Sequence, residues 1–526
     1  MKNVFWKKAG ILALTAVLSV SILSACGSKE TTEQSTATTS QTATNSSAGN
    51  DPIQAELAKG EVNLTMYLAG DAQTDQNEVY AEINKLLVKD INTTVTINNV
   101  PWADVQKKYQ LMFASGEEFD CALGAGFLNY YDLATKNAFK EINEDWIKTY
   151  APETYADLDP YYVKGSKVNG KMYLIPANQH ETRGSLVAIR GDLRVKYNLP
   201  EIKSQDDYFN YLTAVAKNEK ISAFNASVDN TSWYDSIFGR YNGFTNINNL
   251  YCNNVKTFDE KLTVFNALES QEYLNFAKKM RELNEAGVFP KSMLSQKTQG
   301  KEFFKAGTTA SFMEEPNGLY STVSEINAAH PEWKIEVYDI SNPNMPLTGL
   351  SPADAGLVLN PKTKHVERVL MMYNLFREKK EYHDLTYLGI EGKHWKAEGN
   401  QKFSPLPASK GFPFNAASPW AWTNDKYKRV DAETPQSLID IKEKWKGMTK
   451  NSAIQAFAFN DVNVKNEEAA LNNIISKYKN VLMYGFAADV EKTITQMNDE
   501  LKKAGLEKVH KETQTKIDEF LVQYNK

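Results

Sequence analysis

Val62-Asn-Leu-Thr-Met-Tyr-Leu alternates apolar and polar positions with the period of a half-buried strand, and Gly70-Asp71 breaks it. After it, Val79, Ile83, Leu86 and Leu87 fall on one face of a helix, and Thr94-Val-Thr-Ile predicts a second strand. Asp104 caps a helix running to Ala114, and Phe119-Asp-Cys-Ala-Leu is a short third strand leading into Gly124-Ala-Gly126. Strand–helix–strand–helix–strand predicts a parallel, doubly wound α/β sheet. Ligands of such sheets bind beyond the carboxyl ends of the strands, which points to the loops at 69–71, 100–102 and 124–127.

Asn169-Gly170-Lys-Met-Tyr-Leu-Ile-Pro176 reads as a turn entering a strand, and Gly184-Ser-Leu-Val-Ala-Ile-Arg190 as another strand. Beyond Asp192 a second α/β region begins, with helices near Gln205–Lys217 and Gln271–Asn284. Trp333-Lys-Ile-Glu-Val-Tyr338 predicts a strand that carries the chain back, followed by a strand at Asp354–Asn360 and a helix at Val366–Arg377. The pattern is two lobes, 61–182 plus about 336–385 and 183–335 plus about 386–480. In the C-terminal segment 481–526, Val490, Ile494, Met497 and Leu501 form an amphipathic stripe. Gly505 interrupts it, and Val509, Thr513, Ile517 and Phe520 continue on helical spacing, so this segment is expected to pack on a lobe.

The N-terminus has a different pattern. Lys2, Lys7 and Lys8 precede an apolar run from Ala9 to Ala25, the arrangement of an export signal at 1–25. The run ends on Leu-Ser-Ala-Cys26, whose thiol can take a diacylglycerol and become the new N-terminus. A membrane span and a plain signal peptide are the competing readings, and the cysteine at the boundary favours lipidation. Residues 26–60 then form a tether: Gly27 to Asn50 is rich in Ser, Thr, Asn, Gln and Ala and cannot bury a core. A flexible chain of that length spans roughly 25–30 Å, which holds a soluble body at the outer face of the membrane.

Loss of the signal removes three lysines and no acids, so the formal charge falls from −5 to −8. With no basic tract, nucleic acid is excluded as the partner. Cys121 and Cys252 make no CxxC; two buried free thiols are expected, with a bond between them as the other possibility. There is no HExxH, GxSxG or Walker loop. Asp461-Val-Asn463 begins like a calcium loop but lacks its glycine and closing glutamate, so neither metal nor cofactor is expected. Glu314 and Glu315 are adjacent and would point to opposite faces of a strand, a poor pair for glycoside hydrolysis. Aromatics make up 11% of the chain, and many sit among Asn, Gly and Pro.

The order of these features resembles the family 1 extracellular solute-binding proteins of carbohydrate ABC importers, in the long lipoprotein (LipO-like) subgroup. Six segments carry the resemblance, which covers roughly residues 60 to 526 besides the first: Leu-Ser-Ala-Cys26; Ser115-Gly-Glu-Glu-Phe-Asp-Cys-Ala-Leu-Gly with Leu133-Ala and Phe139-Lys-Glu-Ile; Val168-Asn-Gly-Lys-Met-Tyr-Leu-Ile-Pro176; Gly307-Thr-Thr-Ala-Ser-Phe-Met-Glu; Gly389-Ile-Glu-Gly-Lys-His-Trp395; and Leu501-Lys-Lys-Ala-Gly-Leu-Glu-Lys-Val. The resemblance implies a two-lobed periplasmic-binding-protein-like fold of type II, hinged between its lobes, with a helical C-terminal extension. It also implies a carbohydrate ligand, a monomer that is not an enzyme, and delivery to ABC permease subunits served by a separate ATPase. A peptide-binding importer lipoprotein and a secreted glycan-active enzyme are the alternatives.

A saccharide offers C–H faces to aromatic rings and hydroxyls to carboxylates and amides. A clamp that closes on it needs contacts from both lobes. Trp233 follows a polar run in the second lobe, where the family places an aromatic against sugar; packing at a helix start is its structural reading. Trp420 and Trp422, two apart on a Pro-rich loop, cannot both be buried on one face. Trp395, after Gly392, is either a cleft ring or a packed loop. In the first lobe the candidates are Asp71 (otherwise a helix cap), Trp102 (otherwise core), and Phe127 with Asn129, at a place where the family often has a polar residue and an aromatic and this chain offers no acid. Glu181 lies near the expected crossing, and Glu314 and Glu315 end a strand.

Overall fold

The computed structural model describes residues 51–525 apart from 229, 231 and 415–418. The signal segment and Cys26 lie outside these residues. Residues 51–60 do not continue a tether. The Asp51 side chain accepts from the Ile53 N–H at 3.0 Å and starts a helix at Pro52–Leu57. Buried Arg368 fastens this helix to the body by donating to the carbonyls of Glu56 and Gly60.

Strands β1 (Val62–Ala69), β2 (Thr93–Val100), β3 (Cys121–Gly124) and β4 (Leu174–Pro176) begin a first lobe. The chain crosses through β5 (Thr182–Arg183) and builds a second sheet from β6 (Leu186–Arg190), β7 (Ser311–Phe312) and β8 (Ile335–Asp339). It returns through β9 (Thr348–Gly349) and completes the first sheet with β10 (Gly356–Leu359). The first sheet has the order β2-β1-β3-β10-β4, parallel from β2 to β3 and antiparallel on both sides of β10. The second is β8-β6-β7. Each lobe has its own core, the first centred on Leu64, Met66, Leu123 and Leu357, the second on Val187, Ile189, Leu212 and Met280. Cys121 and Cys252 are free thiols, one buried in each core.

Two boundaries differ from expectation. The strand at 335–339 does not carry the chain home: it pairs antiparallel with β6, Ile335 opposite Arg190 and Asp339 opposite Leu186. Residues 386–422 stay with the first lobe, whose core takes Phe412, Ala421 and Trp422; the chain re-enters the second with Leu438 and Trp445 on the helix Gln436–Met448. Apolar periodicity tells which face of a segment is buried, and it cannot tell which of two cores receives it.

The crossing segments form a small joint. β5 and β9 pair antiparallel, and Leu347 exchanges backbone hydrogen bonds with Met448 and Lys450 at 3.0 and 2.8 Å. The C-terminal part is three helices, Lys465–Met483, Val490–Lys503 and Leu506–Tyr524, beginning earlier than expected. Leu471, Ile475, Met497, Leu501 and Val509 seat them in the second-lobe core. No helix among the described residues is long and apolar enough to cross a membrane.

Candidate functional site

β1, β2 and β3 run parallel, so the loops after Ala69, Val100 and Gly124 emerge at one edge of the sheet. Gly70 turns away from β1 with φ +115° while its N–H donates to the Val100 carbonyl at 2.8 Å. A side chain there would stand 3.3 Å from the Trp102 indole, so the glycine lets that ring lie flat over the loop. Trp102, Phe127 and Trp420 then form a triangle, with ring centres 5.9 Å (Trp102–Trp420), 6.2 Å (Trp102–Phe127) and 6.4 Å (Phe127–Trp420) apart. Trp102 is 45% and Phe127 43% exposed, so the triangle is a surface platform and not a core. Trp420 is held in place by its neighbours. Trp422 is buried and donates to the Thr386 hydroxyl at 2.9 Å, Tyr373 donates to the Ala421 carbonyl at 2.7 Å, and Gln179 donates to the Trp420 carbonyl at 3.2 Å. Asp71 is exposed next to Gly70, and Asn129 stands at φ 59° two residues beyond Phe127.

The platform runs into a charged floor at the joint. Lys428 bridges Glu181 at 3.0 Å and Asp425 at 2.9 Å, and Arg183 pairs with Asp354 at 3.2 Å. Ala353, beside Asp354, accepts from the Gly126 N–H and ties this floor to the Phe127 loop. From the second lobe, Glu315 stands just before the helix Pro316–Ala329 with Arg240 3.8 Å away, and its charge reaches Asp354. Glu181, Asp354, Asp425 and Lys428 are all partly open to water, yet loss of solvent is the largest influence on each. Burial alone would raise the Glu181 pKa, and Lys428 with Lys442 outweighs it and holds the carboxyl below its usual value. Burial raises Asp354 against the pull of Arg183.

Three of the predicted aromatics have no face to offer a ligand. Trp233 is 0% exposed, wedged among Phe224, Phe289 and Tyr208 with its indole N–H on the Met280 sulfur at 3.3 Å. Trp422 fills the first-lobe core. Trp395 is buried, donates to the Gly389 carbonyl at 2.9 Å and carries the Arg429 guanidinium over its ring. The recess of about 210 Å³ beside it is lined from 388–431 alone and lies on the first-lobe flank. Glu314 is taken by Lys301 at 2.9 Å. Conversely, Asp354, Asp425, Lys428, Arg183 and Arg240 were not foreseen, because segments far apart in sequence bring them together. The only local signal was the charged run just after Trp422. Among the described residues no cluster of His, Cys, Asp and Glu could hold a metal ion.

Residues 453–522 match a family model described as a domain of unknown function (DUF3502). The chain is 26% identical, over 99% of its own length and 99% of the other's, to a protein of Streptococcus pneumoniae serotype 4 named carbohydrate ABC transporter substrate-binding protein. In three dimensions it matches the N-glycan transport solute binding protein NgtS of Streptococcus pneumoniae with a TM-score of 0.73, at 23% identity, over 88% of this chain and 99% of that one. The fold is that of a solute-binding protein. An extracellular solute-binding protein from Bifidobacterium longum subsp. infantis shares this solute-binding-protein architecture at 15% identity and a TM-score of 0.66, over 89% of this chain and 99% of that one. The resemblance drawn from the sequence, and the two-lobed fold it implied, are borne out.

Proposed function

We propose that this chain captures a carbohydrate between its lobes and delivers it unaltered to an ABC permease powered by a separate ATPase, while a lipid on Cys26 holds it at the outer face of the cell membrane. The observation that carries the reading is the Trp102–Phe127–Trp420 triangle, with Trp102 and Phe127 exposed, at the carboxyl edge of the parallel strands beside carboxylates on the joint. Rings take the apolar face of a sugar and carboxylates accept from its hydroxyls. The relatives named for carbohydrate and N-glycan transport support the same ligand class. Closure follows from Glu315 and Arg240 standing on the other lobe, since only a ligand touching both lobes shifts the hinge.

Calorimetric titration with a panel of glycans, N-glycan fragments included, tests this. Micromolar binding, about −8 kcal/mol, is expected for at least one member. Trp102→Ala and Trp420→Ala should each weaken it by about 0.5–1.5 kcal/mol, or roughly 2- to 12-fold. No response to any glycan, or affinities that ignore both rings, would overturn the reading. Cys26→Ser should move the protein from the membrane fraction to the medium.

A further inference from the structure

The charged floor is closed on itself. His180 lies 3.5 Å from Asp159 and 3.4 Å from Asp425; Asp425 lies 2.9 Å from Lys428, and Lys428 lies 3.0 Å from Glu181. Arg183 and Asp354 pair beside this chain, and Arg240 stands near Glu315. Glu181 feels cations from both lobes, Lys428 in direct contact and Lys442 of the second-lobe helix Gln436–Met448 within electrostatic reach.

We propose, resting on the carbohydrate reading above, that Glu181 is a specificity-determining residue: by bridging Lys428 it makes the cleft select uncharged saccharides over acidic ones. The two ligand classes meet this floor differently. A neutral sugar donates hydroxyls to Glu181, Asp354 or Asp425 and leaves each ion pair in place. A uronic or sialic carboxylate needs a cation, and those on the floor already hold a carboxylate. It must displace Glu181 from Lys428 and then stand beside the displaced anion, a like-charge contact that the neutral ligand never makes. Selectivity comes from this repulsion as much as from attraction to the neutral ligand. Glu181→Gln keeps the shape and one acceptor but withdraws the charge, leaving Lys428 with Asp425 as its one bridging carboxylate and room for a second anion.

The experiment titrates wild type, Glu181→Gln and Glu181→Asp with one neutral N-acetylglucosamine-containing oligosaccharide that binds, and with the same oligosaccharide carrying a terminal sialic acid. Wild type and Glu181→Asp should prefer the neutral form by about tenfold or more, and Glu181→Gln should reduce or reverse that ratio by about tenfold. Equal or tighter binding of the acidic form by wild type overturns the proposal even if the glutamine variant fails to fold. A folded Glu181→Gln whose ratio matches wild type overturns it as well. Failure of every glycan to bind overturns the carbohydrate reading itself, a different result from binding without charge selection.

Discussion

The Lys164 ammonium lies 4.5 Å from the centre of the Tyr524 ring. Lys164 is on the first-lobe helix Pro160–Ser166, while Tyr524 ends a helix whose other end, at Leu506 and Val509, is buried in the second-lobe core. Along that helix Thr513 accepts from Asn253 at 3.0 Å, and the Gln514 side chain accepts from the Val264 N–H at 2.8 Å. Phe520 meets Phe457, and Tyr524 then reaches across. The C-terminal helix is therefore rooted in one lobe and touches the other.

A helix in that position restrains the hinge. Tyr524→Ala removes a contact of about 0.5–1 kcal/mol, so the melting temperature should hardly move. The distribution of distances between probes placed one on each lobe should broaden, and hydrogen exchange should quicken only in the last two turns of Leu506–Tyr524. An unchanged distance distribution would refute the restraint.

Gly70 and Trp102 should behave as one unit. Gly70→Ala forces an alanine to φ +115° and pushes a methyl to 3.3 Å from the indole. The strain costs more than the roughly 0.4–1 kcal/mol that the same change yields at compatible sites. Ligand affinity should fall about as far as in Trp102→Ala, and the double variant should fall little further. Additive losses would show that the glycine does not position the ring.

The local code was readable and the long-range one was not. Strand and helix positions in the first lobe followed from alternation at 62–68 and the 3.6 spacing after it, because each reports only which face is buried. The loops at 70, 102 and 127 could be named because parallel strands place their carboxyl ends together. Trp233 goes inward for a physical reason: a tryptophan after a polar run packs into the core when Phe224, Phe289 and Met280, distant in sequence, leave a slot for it. The pair Trp420 and Trp422 illustrates the limit. Their spacing requires different environments, but only the Thr386 hydroxyl, an acceptor for the buried indole, decides which goes in. Of the floor, only Glu181 stands out in the sequence, at the expected crossing; its pairing with Lys428 and its neighbour Asp354 follow only when the joint forms.

Two histidines set opposite limbs of the stability–pH curve. The Asp425 carboxylate, more than burial opposes it, raises the His180 pKa, with Asp159 adding to the effect. A raised folded value means its stabilisation is complete below about 6.5 and disappears as pH climbs through that folded value. His383 is the reverse: burial first, then Lys428 and Lys380, push it down to about 3, so it stays neutral in the fold. Stability is lost as pH falls below about 6.5, where the unfolded chain takes a proton that the fold refuses. Melting temperatures from pH 4.5 to 8.5 should peak between these limbs. His180→Gln should flatten the alkaline limb, modestly because the ring is more than half exposed, and His383→Gln the acid limb. A limb that keeps its slope in its own variant would rule out that histidine.

The joint itself rests on Gly184 and Trp445. A methyl on Gly184, one residue past β5, would stand 2.2 Å from two ring atoms of Trp445, whose helix belongs to the second lobe. The Arg240 guanidinium donates to the Gly184 carbonyl at 3.1 Å and fixes the backbone under that ring, so the alanine cannot swing aside without breaking this hydrogen bond. Gly184→Ala should cost about 1–3 kcal/mol by overpacking. Trp445→Ala should cost about 3–5 kcal/mol through the cavity it leaves. In Gly184→Ala/Trp445→Ala the lost ring makes room for the methyl, so denaturant unfolding should give a loss well below the sum of the two single changes. Strict additivity would show that the crossing strand and the indole do not share this space.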